Sequence, residues 1–199
     1  MMLPTHALAG MVLALPVAVA VPEFAGVALV AGLVGGVVPD LDMYVGHRRT
    51  LHYPVYYSAL AAAAVPVAVL APMAATVALA LFAVAAAVHS VADMFGGGLE
   101  LRPWEGTSDR AVYDHYRGRW LSPRGWVRYD GAPEDFLLSV ALAAPLVVVV
   151  DGLLQWVVLA AVGVAGVYAA VRRVLPSVAQ RVVTVLPSRA LPYVPGRYR

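Results

Sequence analysis

The chain has 199 residues, of which 61% are hydrophobic and only 13% charged, with a mean hydropathy of +0.77. Soluble domains carry about 25% charged residues, so this composition excludes an ordinary soluble globule and points to an all-α integral membrane protein with one compact bundle. A net charge of +2 gives no basis for nucleic-acid binding, and the lack of cysteine excludes disulfides and thiolate metal sites.

Six apolar stretches follow one another. The first two run from about Pro4 to Val21 and from about Pro22 to Val38. A spanning helix needs about 17–25 apolar residues, so these two are at the short end and read either as spans or as a re-entrant hairpin. Ala18-Val19-Ala20 imitates a signal-peptide cleavage site, but no Lys or Arg precedes the apolar run, which argues against a cleaved signal. The third stretch runs from about Tyr53 to Leu70 and the fourth from Met73 to Phe95. A polar loop rich in Trp and Arg covers 96–133; its conformation, whether lid, hairpin or interfacial helix, is left open. The fifth and sixth stretches, about Glu134–Val150 and Gly152–Val171, complete a single helical domain over 1–175, and a tail punctuated by Arg and Pro covers 176–199. Pro22, Pro72 and Asp151-Gly152 mark the tight turns.

Alternating the stretches across a bilayer returns the chain to its starting side before residue 40, before residue 96 and after residue 171. All fourteen basic residues are Arg, and on this count all lie on that side: Arg48, Arg49, Arg102, Arg110, Arg117, Arg119, Arg124, Arg128, Arg172, Arg173, Arg181, Arg189, Arg197 and Arg199. The opposite side carries only Glu23 and Asp151. The positive-inside rule makes the Arg-rich side cytoplasmic, which places the protein in the cell membrane with its polar loop and tail in the cytoplasm.

Seven potential metal ligands fall on the same side: His6, Asp40, Asp42, His47, His52, His89 and Asp93. Asp40-x-Asp42 follows Pro39 at a helix end. Two such close carboxylates repel unless a cation lies between them or one takes a proton; a solvated turn is the plainer alternative. His47 and His52, five apart, would diverge on a regular helix but converge across an irregular turn, with Arg48 and Arg49 between them at headgroup level. His89 and Asp93 are four apart and share a helix face. His89 interrupts an apolar run, and an Asp at the centre of a membrane helix costs about 2.5–3.5 kcal/mol, less near an end. Such residues face a bundle interior and serve a function, or else tie helices together by a hydrogen bond. His6 opens the first helix, where Thr5 reads as its cap. Glu134 and Asp135 suit the dipole at the start of the fifth helix. His115 reads as a loop residue. Trp104, Trp120 and Trp126 fit an interfacial belt, or with the arginines a grip on phosphate. Without cysteine, histidines and carboxylates suit zinc, manganese or iron, and magnesium where oxygens dominate.

At these residues the chain resembles the YdjM family of predicted membrane-bound metal-dependent hydrolases. The matching pieces are Thr5-His6-Ala7-Leu8-Ala9-Gly10, Pro39-Asp40-Leu41-Asp42, His47-Arg48-Arg49-Thr50-Leu51-His52 and His89-Ser90-Val91-Ala92-Asp93, with Leu101-Arg102-Pro103-Trp104 similar to the family's post-helix loop. The likeness covers roughly the first 110 residues, departing at Tyr53, where many relatives carry Ser. It implies His6, Asp40, Asp42, His52, His89 and Asp93 as metal-site residues, with His47 beside them. The His-x-x-x-Asp spacing is also similar to that of zinc-dependent phospholipases C, which implies phosphoester hydrolysis.

The expectation is therefore hydrolysis of a lipid-like phosphoester or other ester by water activated on one or two divalent ions, zinc foremost. Asp40 or Asp42 would act as base, and Arg48 or Arg49 would offset negative charge. The rivals are a metal or proton transporter, which requires polar residues through the whole thickness, and a structural membrane protein with a His/Asp clasp.

Overall fold

The computed structural model describes residues 1–194. Arg197 and Arg199, counted above with the other arginines, lie outside the described residues. The described chain is mostly helical, with seven α-helices. These are α1 (Leu3–Ala20), α2 (Ala25–Val37), α3 (Pro54–Leu70), α4 (Ala74–Ala92), α5 (Pro133–Val149), α6 (Gly152–Val171) and α7 (Leu175–Val185). The first six coincide with the apolar stretches to within a few residues. Helix α7 falls in the segment read from sequence as a tail. The loop over 96–133 contains a small antiparallel hairpin, β1 (Val112–Asp114) and β2 (Arg119–Leu121), with Tyr113 paired to Trp120.

Ala, Leu and Val fill the helices, and a proline in the first turn opens α1, α3, α5 and α7. Proline is favoured there because its missing N–H has no helical partner to lose. Pro16, Pro66 and Pro145 lie inside α1, α3 and α5, where each removes one N–H from the helical ladder. Helix α2 tightens into a 3-10 turn over Val38–Tyr44, and α4 does so over Asp93–Phe95. Four continuous runs are long and apolar enough to cross a membrane: Leu3–Ala20, Pro22–Tyr44, Ala74–Phe95 and Gly152–Val171.

Helix α1 is the hub, packed against α2, α4, α5 and α6; α2 also packs on α4, α3 on α4, and α5 on α6. Leu8, Met11, Leu29, Val77, Leu81, Leu146 and Val158 form the buried centre. Small residues let the backbones meet. A Cβ at Gly10 would collide with the carbonyl of Gly32, and one at Gly36 would collide with the carbonyl of His6. The outer faces are apolar too: Leu137, Val148, Leu153, Trp156, Val164 and Val167 are exposed.

Thr5 does not cap α1. Its hydroxyl reaches across to α5, donating to Asp135 at 2.7 Å and lying 2.8 Å from Ser139. Asp135 is fully buried and also accepts from the backbone N–H of Met2 and Gly131. It stands in the first turn of α5, as the sequence indicated, and from there anchors α1 to α5. Glu134 beside it does stay at the surface, bonded to Arg128.

Candidate metal centre

The chain brings four ends together at one end of the bundle: the start of α1, the turn after α2, the segment leading into α3 and the close of α4. The organising residue is Asp42. Its carboxylate accepts from the backbone N–H of Arg48 (3.2 Å), Arg49 (3.3 Å) and Leu51 (3.0 Å), and from Nδ1 of His47 (3.1 Å) and His52 (3.0 Å). This folds residues 46–52 into a compact turn in which Gly46 and Arg48 both take positive φ, 92° and 59°. The irregular turn makes the two histidines converge where a helix would have spread them. Arg48 alone among the described non-glycine residues adopts this conformation.

Asp40, His52, His89 and Asp93 form the centre. Each is buried, and one ligand atom from each lies within 4.8 Å of the others. Nε2 of His52 lies 3.6 Å from Asp40 Oδ1 and 3.3 Å from Asp93 Oδ2; Nε2 of His89 lies 3.5 Å and 3.8 Å from the same two oxygens. Four ligands at about 2.0–2.2 Å from a tetrahedral zinc stand ~3.3–3.6 Å apart, so the spacing suits one ion.

Both histidines are turned for this by a second bond. His52 gives its Nδ1–H to Asp42, and His89 gives its Nδ1–H to the carbonyl of Gly36 at 2.7 Å. That leaves each Nε2 with its lone pair toward the carboxylates. Both Nε2 atoms are buried without a hydrogen-bond partner. Buried orphaned nitrogens are costly, a cost that ligation of an ion would resolve. An outer acceptor on the distal nitrogen is how ligating histidines are held.

Charge points the same way. Asp40, Asp42 and Asp93 are all buried, and Arg48 is the side-chain cation against them, its Nε 3.1 Å from Asp93 and its Nη1–H bonded to the carbonyl of Gly97 at 2.8 Å. The amino group of Met1 also meets Asp93, at 2.7 Å. The centre draws in positive charge.

The remaining sequence candidates stand around these four. His6 stacks face to face on His89 with ring centroids 3.7 Å apart and donates from Nε2 to Asp93 Oδ1 at 3.0 Å. Asp42 and His47 sit on the other flank, with His47 4.0 Å from Asp40. Arg49 is not brought to the centre: its guanidinium lies over the ring of Tyr113 at 4.7 Å. Two participants escaped sequence reading, the carbonyls of Gly36 and Gly97, because backbone acceptors leave no side-chain signature. The glycine pair at 35–36, next to an Asp-bearing turn, was the available clue to a close backbone approach.

His115 does lie in the loop, in the turn between the two strands, against Tyr53 and Tyr113. Trp104 meets the guanidinium groups of Arg172 and Arg173 at 5.5 and 5.6 Å, so part of the Trp–Arg interleaving is internal packing. Trp126 is exposed.

A cavity of about 560 Å³ adjoins the centre, lined in part by Asp40, His47 and Arg48. Comparison with protein-family models, curated proteins and solved structures finds no match to this chain.

Proposed function

We propose that the protein is an integral membrane, metal-dependent hydrolase of a lipid-like phosphoester, holding one divalent ion through Asp40, His52, His89 and Asp93. The observation that carries this reading is the pair of buried, orphaned Nε2 atoms aimed at two buried carboxylates beside a cavity. A two-nitrogen, two-oxygen donor set suits zinc, with manganese or iron as alternatives. Such an ion supplies Lewis acidity toward a phosphoryl oxygen and makes water acidic enough to attack near neutral pH.

The chain's own groups do the rest. Asp40 is the one buried carboxylate of the three that lines the cavity. Its Oδ1 faces the histidines, and its second oxygen is left to take a proton from attacking water. In the hydrolysis, the water oxygen bonds to phosphorus as the P–OR bond breaks, and the departing alkoxide leaves as the alcohol after taking up a proton. Arg48, fixed by Asp93 and Gly97, offsets negative charge gathering on the phosphoryl oxygens. Asp42, with both oxygens engaged, orients His47 and His52. His6 holds Asp93 and buttresses His89.

The exposed apolar faces of α3, α5 and α6, together with the four long apolar runs, support membrane embedding. The arginine distribution supports a cytoplasmic site. Among the described residues, the buried polar side chains gather at the end of the bundle that carries the centre, which favours a one-sided site over a transport path.

The test is elemental analysis of the detergent-purified protein beside His89→Ala, followed by turnover of a phosphoester panel with and without chelator. Near-stoichiometric metal that falls in the variant, with chelator-sensitive hydrolysis, supports the reading. No metal after reconstitution, or hydrolysis indifferent to chelator and to Asp40→Asn, overturns it.

A further inference from the structure

The cavity beside the centre changes character from its floor to its mouth. Its floor carries Asp40 and Arg48, both buried, with His47 beside them. Its far wall is made by Val164 of α6 and by Leu175 and Val178 of α7. Those three are also surface residues, exposed at 59%, 38% and 47%, so they form the lip. Val167 and Val171 of α6, Val182 of α7 and Val174 between the two helices are exposed as well. The polar floor is therefore reached across an apolar rim that belongs to the outer surface of the bundle. A water-soluble substrate would meet a polar rim. An amphiphile gains by leaving its chain in apolar surroundings while only its head moves inward.

The head's charge follows from the floor. Arg48 and a divalent ion at Asp40, His52, His89 and Asp93 both attract an anion. Of the other carboxylates of the cavity, Asp130 is paired with Arg172 (two contacts of 3.0 Å), while Glu100 is held through Oε1 by the backbone N–H groups of Thr107 and Ser108 (2.9 and 3.3 Å) and keeps its buried Oε2 without a partner.

We propose that this cavity is the substrate site for an alkyl phosphoester amphiphile, its anionic head against Arg48 at the end of the cavity that borders the metal centre and its chain leaving over Val164, Leu175 and Val178 into the surrounding leaflet. Helix α7 is then the gatepost of a lateral opening. The proposal rests on reading the four-residue cluster as a metal centre, but it concerns different residues and is read out separately.

The probe is a long-chain alkyl phosphate with a photoreactive diazirine near the head end of its chain, applied to the full-length protein in neutral detergent. Peptide mapping should place the label on the α6–α7 lip. Excess unlabelled alkyl phosphate should compete, whereas an alkyl maltoside of equal chain length and inorganic phosphate should not. Val164→Trp and Val178→Trp, both at exposed positions, should cut labelling by about tenfold, a loss of roughly 1.4 kcal/mol in binding, with metal content and thermal midpoint at wild-type values. Label scattered over the apolar surface, equal competition by the maltoside, or undiminished labelling in both Trp variants overturns the proposal while leaving the metal reading standing. Site-specific labelling in a protein that binds no metal would keep the cavity and remove the hydrolase.

Discussion

His52 gives its Nδ1–H to Asp42 Oδ2 at 3.0 Å, and that bond decides which ring nitrogen faces Asp40 and Asp93. The two residues are ten apart on an irregular turn, and the carboxylate that holds the ring also holds three backbone N–H groups of the same turn. Loss of a ligand and loss of its orienting partner should therefore differ in degree. Asp42→Asn is expected to weaken metal binding by about 10–100-fold, because one orienting acceptor is lost while both Nε2 atoms remain. His52→Ala and His89→Ala should fall below measurable occupancy. Metal titration by competition with a chromophoric chelator separates the two classes; equal effects would contradict the division between holders and orienters.

Close glycine contacts make a second prediction. Gly36→Ala would drive a Cβ into the carbonyl of His6, at the point where Gly36 also receives the His89 proton. Thermal unfolding in detergent should show a loss of about 1–3 kcal/mol or more, accompanied by lower metal content. Gly10→Ala should destabilise by a similar amount through the Gly32 carbonyl, with metal affinity less affected. Gly163→Ala, whose Cβ would meet nothing within 4 Å, should be neutral to slightly stabilising.

A third concerns Asp130, which lies outside the apolar helices. Burial raises its pKa, but the hydrogen bonds and charge of Arg172, aided by Tyr168, outweigh this and hold it below the usual carboxylate value of 3.8. A depressed carboxylate contributes stability that is present above its unfolded pKa and is lost as pH falls through its folded one. Asp130→Asn should cost about 1–2 kcal/mol at neutral pH, allowing for a side chain a quarter exposed. The gap between variant and wild type should shrink as pH falls below about 4. Thermal midpoints measured from pH 7 to pH 3 check the sign: a gap that widens in acid would refute it.

Topology is open to a direct test because the chain has no cysteine. Single cysteines at Met73 and Asp151 should react with an impermeant maleimide from one face of sealed vesicles, and cysteines at Tyr116 and Arg124 from the other. Reaction of all four from one face would exclude the alternating arrangement.

Much of this architecture was legible because its signals are local. Apolar length gave α1–α6, and Pro22, Pro72 and Asp151-Gly152 gave their turns. His89 and Asp93 could be paired by helical spacing alone. The central four could not be separated from the surrounding three, since residue types and sides are identical for both; only the convergence of their ligand atoms to within 4.8 Å of one another distinguishes them. Thr5 was misread as a cap for the same reason, and Asp135, correctly placed in the first turn of α5, was not seen as its partner. Each suits a helix start by local rules, and their partnership spans 130 residues. Helix α7 was hidden because its eleven residues mix Val with Ser, Gln, Arg and Thr and fall short of any membrane span. The hairpin strands, three residues each, are too short for an alternating pattern to register.

Arg48 carries a further consequence. A left-handed backbone at a residue with a side chain costs of order 1–3 kcal/mol and persists only where its surroundings hold it. Here Asp42 grips its N–H, Tyr113 of the hairpin donates to its carbonyl at 2.9 Å, and its guanidinium is clamped by Asp93 and Gly97. Glycine would relax the backbone at this position and remove the cation. The position thus opposes two selections, one for a restful chain and one for a fixed charge, and the residue found there records which prevailed.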